Sequence, residues 1–303
     1  MTILSHHHTH EKKNNSAEKN LLITSLLNIV ITVAEIVGGI LSNSLALLSD
    51  ALHNLSDAVA VFIAYLASLI SHRNSTEEKT FGYKRIEILS ALFNAVVLIV
   101  VCVFLIYEAY NRFLHPEPIK GVIMFWVALV GLLANLFAVS LLHRHAGTSL
   151  NVKAAYLHLL GDTFSSVLVI ISSILIYYFQ FYWIDPLITL LISLYIIKEA
   201  YSILKEAVNI LMQFTPKSID LQKIKYEIEK IPEIENIHHV HIWSLNDQQV
   251  HFECHIDVIK DFRISETEDL RYKLKELLSK EFGISHTTIQ LEFNSCDQKS
   301  LIH

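Results

Sequence analysis

The sequence predicts an α-helical membrane domain of six transmembrane helices, followed by a C-terminal α+β domain. The 303 residues are 52% hydrophobic with a mean hydropathy of +0.41, too apolar for an ordinary soluble protein of this size. Six apolar segments reach the length of about 20 residues that a bilayer-spanning helix needs. After about Gln213 the pattern changes to the short alternating segments of a soluble domain.

The six predicted spans follow one another with short connections. They are Leu21–Leu41, Leu45–Ile70, Ile86–Phe113, Gly121–Leu142, Val152–Phe179 and Pro186 to about Leu204. Asp185 is the expected N-cap of the last span, with Pro186 at its first helical position. The aromatic residues Phe181, Tyr182 and Trp183 just before it are expected to anchor it at the membrane interface.

Basic residues predict the orientation of these spans. One set of flanks contains eleven lysines and arginines, whereas the opposite set contains only Arg112 and Lys120. By the positive-inside rule both termini are expected in the cytoplasm. The first twenty residues are polar and do not resemble a cleavable signal peptide. The compact loops favour location in a bacterial inner membrane, and a vesicular membrane is the alternative location.

The soluble part has the predicted order αββαβ, which implies an open sheet with helices on one face. The expected elements are a helix at Ser218–Lys230, strands at Ile237–Leu245 and Val250–Ile259, a helix at Ser265–Phe282 and a strand at Thr287–Phe293. Ser265 with Glu268 is the predicted capping box of the second helix, and Gly283 ends it. The expected domains are 1–20 (N-terminal tail), 21–212 (membrane), 213–295 (cytoplasmic) and 296–303 (C-terminal tail).

Charge and cysteine usage narrow the class of protein. From Leu211 onward the chain has 11 lysines and arginines against 16 aspartates and glutamates, a net charge of −5. This acidic balance argues against nucleic acid, which requires a basic surface, and suits cations. Cys102, Cys254 and Cys296 are too few and too scattered for a disulfide framework.

Two H-x-x-x-D motifs in predicted spans carry the chemistry. His53 and Asp57 lie in the second span, and His158 and Asp162 lie in the fifth. The i, i+4 spacing places His and Asp on one helix face. Two facing helices would supply two imidazoles and two carboxylates, a ligand set that suits a tetrahedral divalent metal such as zinc. Ionisable side chains in lipid are costly and indicate function.

A buried histidine with local hydrogen bonds explains one such motif equally well, but two identical motifs on separate spans argue against that interpretation. Asp50 lies three residues before His53. It could be a carboxylate that supports the metal ligands, a proton carrier, or simply a polar residue near the helix start. Glu35, Asn94, Glu108 and Asn135 are weaker candidates, expected to serve helix packing or interfacial positions.

If the site opens alternately to the two sides of the membrane, the ligand set predicts exchange of metal for protons. Two ionised aspartates and two neutral histidines balance a divalent ion, and without metal a low dielectric favours protonated carboxyls. Metal and protons therefore compete for the same groups. A metallohydrolase is the weaker hypothesis for two reasons. A zincin has its general-base glutamate directly after a ligand histidine, where this chain has Asn54 and Leu159. A catalytic zinc also keeps one coordination position open, which a fourth protein ligand would fill.

With these residues, the chain resembles the cation diffusion facilitator family, in its zinc-type branch. The resemblance rests on three segments besides the motifs: Ser44–His53, Phe81-Gly82-Tyr83-Lys84-Arg85-Ile86-Glu87, and His241-Ile242-Trp243-Ser244-Leu245. It extends from about Leu21 to Phe293. It implies a six-span homodimer in the lipid bilayer that exports zinc or similar ions in exchange for protons, with a ferredoxin-like cytoplasmic domain that binds metal and pairs the protomers.

The resemblance also implies site residues. The transport site would be His53, Asp57, His158 and Asp162, and a regulatory metal site in the cytoplasmic domain would be His241, His255 and Glu292. An N-terminal histidine segment sometimes adds a ligand in this family, so His6 to His10 are either a metal-collecting segment or a cloning tag. Two features depart from the family: only His143 and His145 stand where many relatives have a long histidine-rich loop, and Cys296 lacks a Cys-x-x-Cys partner.

Residues of the cytoplasmic domain partly support that second site. His251, Glu253, His255 and Asp257 alternate along one face of the second strand. Whether His239 and His241 join them depends on strand register, and a solvated polar face is the alternative. His238 and His286 are expected at the surface.

Ligand type favours zinc, with cobalt, cadmium and nickel as close competitors. The alternative function is a membrane metal sensor or receptor, in which the cytoplasmic domain signals and no ion crosses.

Overall fold

Six long helices make up most of the described residues before Met212. The computed structural model describes residues 7–71, 75–143, 150–294 and 300–302. The helices are α1 (His7–Ser42), α2 (Leu45–Ser71), α3 (Ile86–Leu114), α4 (Gly121–His143), α5 (Leu150–Phe179) and α6 (Ile184–Leu211). A small α/β domain with three strands follows. The predicted fold class, a helical membrane domain followed by an αββαβ domain, is confirmed.

The long helices present apolar side chains on their outer surfaces. Val61, Phe104 and Phe164 are each more than 60% exposed, as expected for helices whose solvent is lipid rather than water. Within the described residues, five helices are long and apolar enough to cross a membrane: α2, α3, α4, α6 and the Tyr156–Phe179 part of α5. A shorter apolar segment, Leu26–Ser42, lies within α1.

Packing divides the chain into two compact units: one contains Met1–Ile63 with Phe93–Ser202, and the other contains Ala64–Leu92 with Ile203–His303. In the first unit α4 packs against both α1 and α5. Small residues allow the close approach, because a Cβ at Gly121 would lie 3.0 Å from the Ser173 carbonyl oxygen of α5, and one at Gly38 would lie 2.6 Å from the Val127 side chain. Packing through small residues is typical of helices in membranes.

Asp185 does not serve as the N-cap of its own helix. Helix α6 begins one residue earlier, at Ile184. The buried Asp185 carboxylate instead accepts hydrogen bonds at the start of α2, from Ser44 Oγ (2.5 Å), Leu45 N (2.8 Å) and Ala46 N (3.4 Å). It therefore satisfies backbone donors that the first turn of α2 leaves without partners. The prediction that Asp185 caps its own helix is therefore wrong. Asp185 caps the start of α2 instead, and its partner Ser44 lies 141 residues earlier in the sequence.

The C-terminal domain has the order α7 (Leu221–Glu229), β1 (Ile234–Ser244), β2 (Val250–Val258), α8 (Glu268–Phe282) and β3 (His286–Glu292). The sheet order is β1-β2-β3, with β1 and β2 antiparallel and β2 and β3 parallel. Phe252, Cys254 and Ile256 of β2 share one buried cluster with side chains from both helices. The opposite face of β2 is therefore left to its alternating polar residues.

The predicted capping box at Ser265 and Glu268 is wrong. A short 3-10 helix, Ile264–Glu266, precedes α8, with the Arg263 backbone N–H donating to Glu266 Oε2 at 3.0 Å, while Thr267 is the N-cap residue of α8. At the other end the predicted stop is confirmed: Gly283 adopts φ +67, and its N–H donates to the Leu278 and Ser279 carbonyl oxygens.

The Leu274→Ala substitution should lower the free energy of unfolding of the C-terminal domain by about 2–5 kcal/mol, because it removes a fully buried side chain and leaves a cavity. Thermal denaturation of the full chain in detergent, followed through the transition of this domain, measures the effect. The neighbouring Tyr272, which is 68% exposed, provides the control: Tyr272→Ala should change stability by less than about 0.5 kcal/mol. Equal shifts for the two variants would contradict the assigned core.

Candidate metal centres

The two H-x-x-x-D motifs meet between α2 and α5. His158 Nε2 lies 3.1 Å from Asp57 Oδ2 and 3.5 Å from Asp162 Oδ2. His53 Nε2 lies 3.6 Å from Asp57 Oδ2 and 3.9 Å from Asp162 Oδ1. Ligand atoms bound at about 2.0–2.1 Å to a tetrahedral zinc are about 3.3 Å apart. Ligand atoms of His53, His158 and Asp162 all lie within 4.8 Å of one another, and Asp57 Oδ2 approaches both imidazoles, so these side chains could gather around one ion. We call His53, Asp57, His158 and Asp162 the four-ligand site.

The residues of the four-ligand site differ in burial. His53 and Asp162 are buried, whereas the side chains of His158 and Asp57 are 39% and 31% exposed. His53, His158 and Asp162 line a cavity of about 370 Å³.

Buried polar atoms of this site lack ordinary partners. Within the described residues, His53 Nδ1 and Asp162 Oδ2 are buried and make no hydrogen bond. A buried carboxylate that lacks a hydrogen-bonding partner is costly. A cation or a proton at this position would remove that cost, so the donor set fits a divalent metal.

Asp50 lines the same cavity and is itself buried. It accepts a hydrogen bond of 2.6 Å from Ser165 Oγ, and the same hydroxyl lies 2.9 Å from the Asp162 carbonyl oxygen. Asp50 is thus joined through Ser165 to the helix turn that carries Asp162. Asp50 was predicted near the site from its sequence position, whereas Ser165 was not, because its hydroxyl gives no sequence signal in an apolar span.

Glu199 of α6 is a cavity-lining carboxylate that the sequence analysis missed. It accepts a hydrogen bond of 2.6 Å from Tyr195 Oη, one helical turn earlier. The signal was available, because an acidic residue inside a predicted span is a functional candidate by itself.

A second group of ligand-type side chains lies on the polar face of the C-terminal sheet. His255 Nδ1 lies 2.8 Å from Glu292 Oε1, and His238 Nε2 lies 3.4 Å from Glu292 Oε2. The three side chains offer ligand atoms that all lie within 4.8 Å of one another. Asp257 is adjacent, with its Oδ2 3.9 Å from His238 Nδ1. We call His238, His255 and Glu292 the tail site.

The tail site contains His238 where the sequence analysis had His241. A β-bulge causes the exchange: His238 pairs with His255 and His241 pairs with Glu253, so two residues of β1 stand opposite one residue of β2. His239 adopts φ +55 within the bulge. His241 stays on the polar face and is exposed, and its ring contacts His239 at 5.3 Å between centroids. His238 is fully buried, so its expected surface position is wrong.

The His238→Ala substitution should weaken zinc binding to the tail site at least about tenfold, because it removes one ligand. His241→Ala should change that affinity less than about twofold, because His241 lies outside the group. Competition with a chromogenic chelator, on protein whose four-ligand site carries Asp162→Ala, measures both. The reverse order of effects would favour the original prediction of His241.

A third histidine pair lies farther along the same sheet face. The His251 ring stacks on Trp243 at 5.4 Å and contacts His286 and Phe81 at 4.7 and 5.7 Å between centroids. Burial, reinforced by the nearby His286 and Lys84, lowers the pKa of His251 below its ordinary value. His251 is therefore neutral near pH 7 and packs as an aromatic ring. His286 is exposed, as predicted.

Some sequence predictions fall on residues that the structure does not describe. The side chains of His7 to His10, and all of His6, His145 and Cys296, lie outside the described part of the chain. His143 is described and exposed, with its ring 5.8 Å from that of Tyr156.

Two family models match consecutive parts of the chain. Residues 21–212 match the cation efflux transmembrane domain, and residues 216–294 match the cation efflux protein cytoplasmic domain, a model named ZT_dimer. The name of the second model indicates that this domain dimerises. Together the two models span most of the sequence.

Among characterised relatives, the zinc transporter ZitB of Pectobacterium atrosepticum is 38% identical over 296 residues, which cover 97% of this chain and 91% of the relative. The cadmium, cobalt and zinc/H(+)-K(+) antiporter of Bacillus subtilis is 38% identical over 282 residues, which cover 92% of this chain and 90% of the relative. The metal-bound C-terminal domain of the CzcD transporter from Cuprividus metallidurans is 31% identical, with a TM-score of 0.22, and covers 24% of this chain and 99% of that domain.

Proposed function

Because this chain belongs to the cation efflux family of membrane metal transporters, we propose that it exchanges cytoplasmic zinc for external protons at the four-ligand site. The chain is a membrane-spanning protein of a family that exports metal cations. Beyond membership of this family, the proposal specifies the transported ion (zinc), the ion exchanged for it (the proton) and the residues that bind both. One observation carries it: the nitrogen–oxygen distances of 3.1–3.9 Å within and between the two motifs, which suit a single tetrahedral ion.

Charge balance supports protons as the counter-ion. Two carboxylates and two neutral imidazoles neutralise a divalent ion, and the same groups take up protons when the ion leaves. The site then carries no large net charge in either state, as a low-dielectric position requires. The name of the Bacillus subtilis relative includes K⁺ as well as H⁺. We favour protons for this chain because all four ligands bind protons.

The choice of ion rests on ligand chemistry and on the relatives. Mixed imidazole and carboxylate ligands suit zinc, and Cd²⁺, Co²⁺ and Ni²⁺ compete for such a set. Relatives are named for zinc, cadmium and cobalt. We propose Zn²⁺ as the main substrate, with Cd²⁺ and Co²⁺ as alternative substrates and Ni²⁺ as a weaker candidate.

The remaining parts of the proposal concern placement and regulation. The excess of basic residues on one set of flanks supports cytoplasmic termini, and the bacterial relatives support an inner membrane. We propose that the domain at about 213–295 pairs two protomers into a homodimer. Its tail site would bind zinc as a regulatory ion, and Asp50 would take part in proton transfer beside the four ligands.

Metal accumulation in vesicles tests this function. Protein reconstituted into liposomes with an acidic lumen should accumulate zinc above the external concentration, because protons leave down their gradient as metal enters. Dissipation of the pH gradient should abolish the accumulation. A membrane sensor predicts metal-dependent change in the cytoplasmic domain without uptake in either condition, so uptake at the level of empty liposomes would favour that alternative.

A further inference from the structure

Glu35 of α1 is a buried carboxyl that the four-ligand site does not include. Its side chain is 1% exposed. Asn54 Nδ2 of α2 donates a hydrogen bond of 3.0 Å to Glu35 Oε2. Gly131 of α4 leaves the space that the other oxygen occupies, since a Cβ there would lie 2.8 Å from Glu35 Oε1. Three helices thus enclose this carboxyl. Helix packing alone does not require a carboxyl at this position.

No cation neutralises Glu35 in the described part of the chain. The charged groups that act on it are Asp50 of α2 and Asp162 of α5, both of which are acidic, and α4 approaches it with Gly131. Its one hydrogen-bond donor is a neutral amide. An ionised carboxylate in these surroundings would be both desolvated and repelled. The neutral, protonated form is therefore the stable one while the four-ligand site is empty.

Entry of a divalent cation changes this balance. Asn54, the donor to Glu35, directly follows the ligand His53 in α2. The ion neutralises Asp162, one of the two acidic groups that disfavour ionisation of Glu35, and adds positive charge in a medium of low dielectric. Both effects favour loss of the Glu35 proton.

We propose that Glu35 is an additional proton-binding site of the transport cycle, which holds a proton when the four-ligand site is empty and releases it when a divalent cation enters. In this step the O–H bond of the carboxyl breaks, the electron pair stays on the carboxylate and the proton passes to solvent. The inference rests on the proposed exchange of metal for protons and adds one specific proton to it.

Counting the protons released per metal tests the role of Glu35. Zinc binding to the full chain in detergent is measured by calorimetry in two buffers with different ionisation enthalpies. Every sample carries His238→Ala and His255→Ala, so that the tail site does not contribute. Glu35→Gln, which keeps an acceptor for Asn54 but cannot ionise, should release about one proton fewer per zinc. The slope of log affinity against pH should also fall by about one.

Two matched variants complete the test. Glu108→Gln, which removes a carboxylate paired with Arg112 outside the cavity, should release the same number of protons as the parent. Glu35→Asp keeps an ionisable group, and it should restore the lost proton if Glu35→Gln acts through titration rather than folding. Unchanged proton release in Glu35→Gln would overturn the role of Glu35. No proton release in the parent would instead overturn the proposed exchange itself.

Discussion

Replacing Asp162 by alanine is expected to reduce zinc flux in reconstituted vesicles at least about 100-fold. Asp162 is 3% exposed and faces both histidines of the four-ligand site. Loss of a residue that only supports a metal ligand costs about 10–100-fold in affinity, so loss of a ligand itself should cost at least as much. The remaining carboxylate, Asp57, cannot neutralise a divalent ion alone.

Asp162→Asn separates charge from shape in the same experiment. It keeps the size of the side chain and loses the negative charge, and it should be nearly as inactive as Asp162→Ala. Glu117→Gln, an exposed carboxylate outside the cavity, is the matched control and should keep flux within about twofold. Zinc flux in Asp162→Ala close to that of the unmodified protein would remove Asp162 from the site.

Replacing Asp185 by alanine is expected to lower the free energy of unfolding by about 3 kcal/mol. The substitution removes three hydrogen bonds from the start of α2 and leaves buried donors unsatisfied. Because α2 carries His53 and Asp57, loss of this cap should also slow transport. Thermal unfolding in detergent measures the loss of stability.

Ser44→Ala provides the comparison for Asp185. It removes one of the three donors to the carboxylate, and also the hydroxyl that accepts from the Leu47 N–H, but leaves the carboxylate bonded to the backbone of Leu45 and Ala46. It should therefore cost only about 1–2 kcal/mol. Equal melting temperatures for Ser44→Ala and Asp185→Ala would show that the carboxylate does not hold the start of α2.

The sequence predicted what depends on local helix geometry. The i, i+4 spacing places His53 with Asp57, and His158 with Asp162, whatever the rest of the fold does. That α2 and α5 face each other was predicted from the chemistry of the paired motif, because no local sequence signal indicates it. The end of α8 at Gly283 was predictable for the same local reason, because a left-handed residue there favours glycine.

Non-local contacts explain what the sequence could not predict. The donors to Asp185 come from α2, and no pattern around residue 185 indicates them. The exchange of His241 for His238 depends on a bulge at His239, which shifts the strand register. Glu35 could not be distinguished from a packing residue, because its burial depends on Gly131 in another helix.

Simultaneous recording of metal and proton movement tests the exchange mechanism most directly. Vesicles containing the full chain, a lumenal pH dye and a lumenal zinc dye are given external zinc in buffer without K⁺. Exchange at the four-ligand site predicts zinc entry with proportional alkalinisation of the lumen, and loss of both the zinc and the pH signal in Asp162→Ala. Zinc entry at constant lumenal pH, or equal signals in the unmodified protein and Asp162→Ala, would contradict exchange at the four-ligand site.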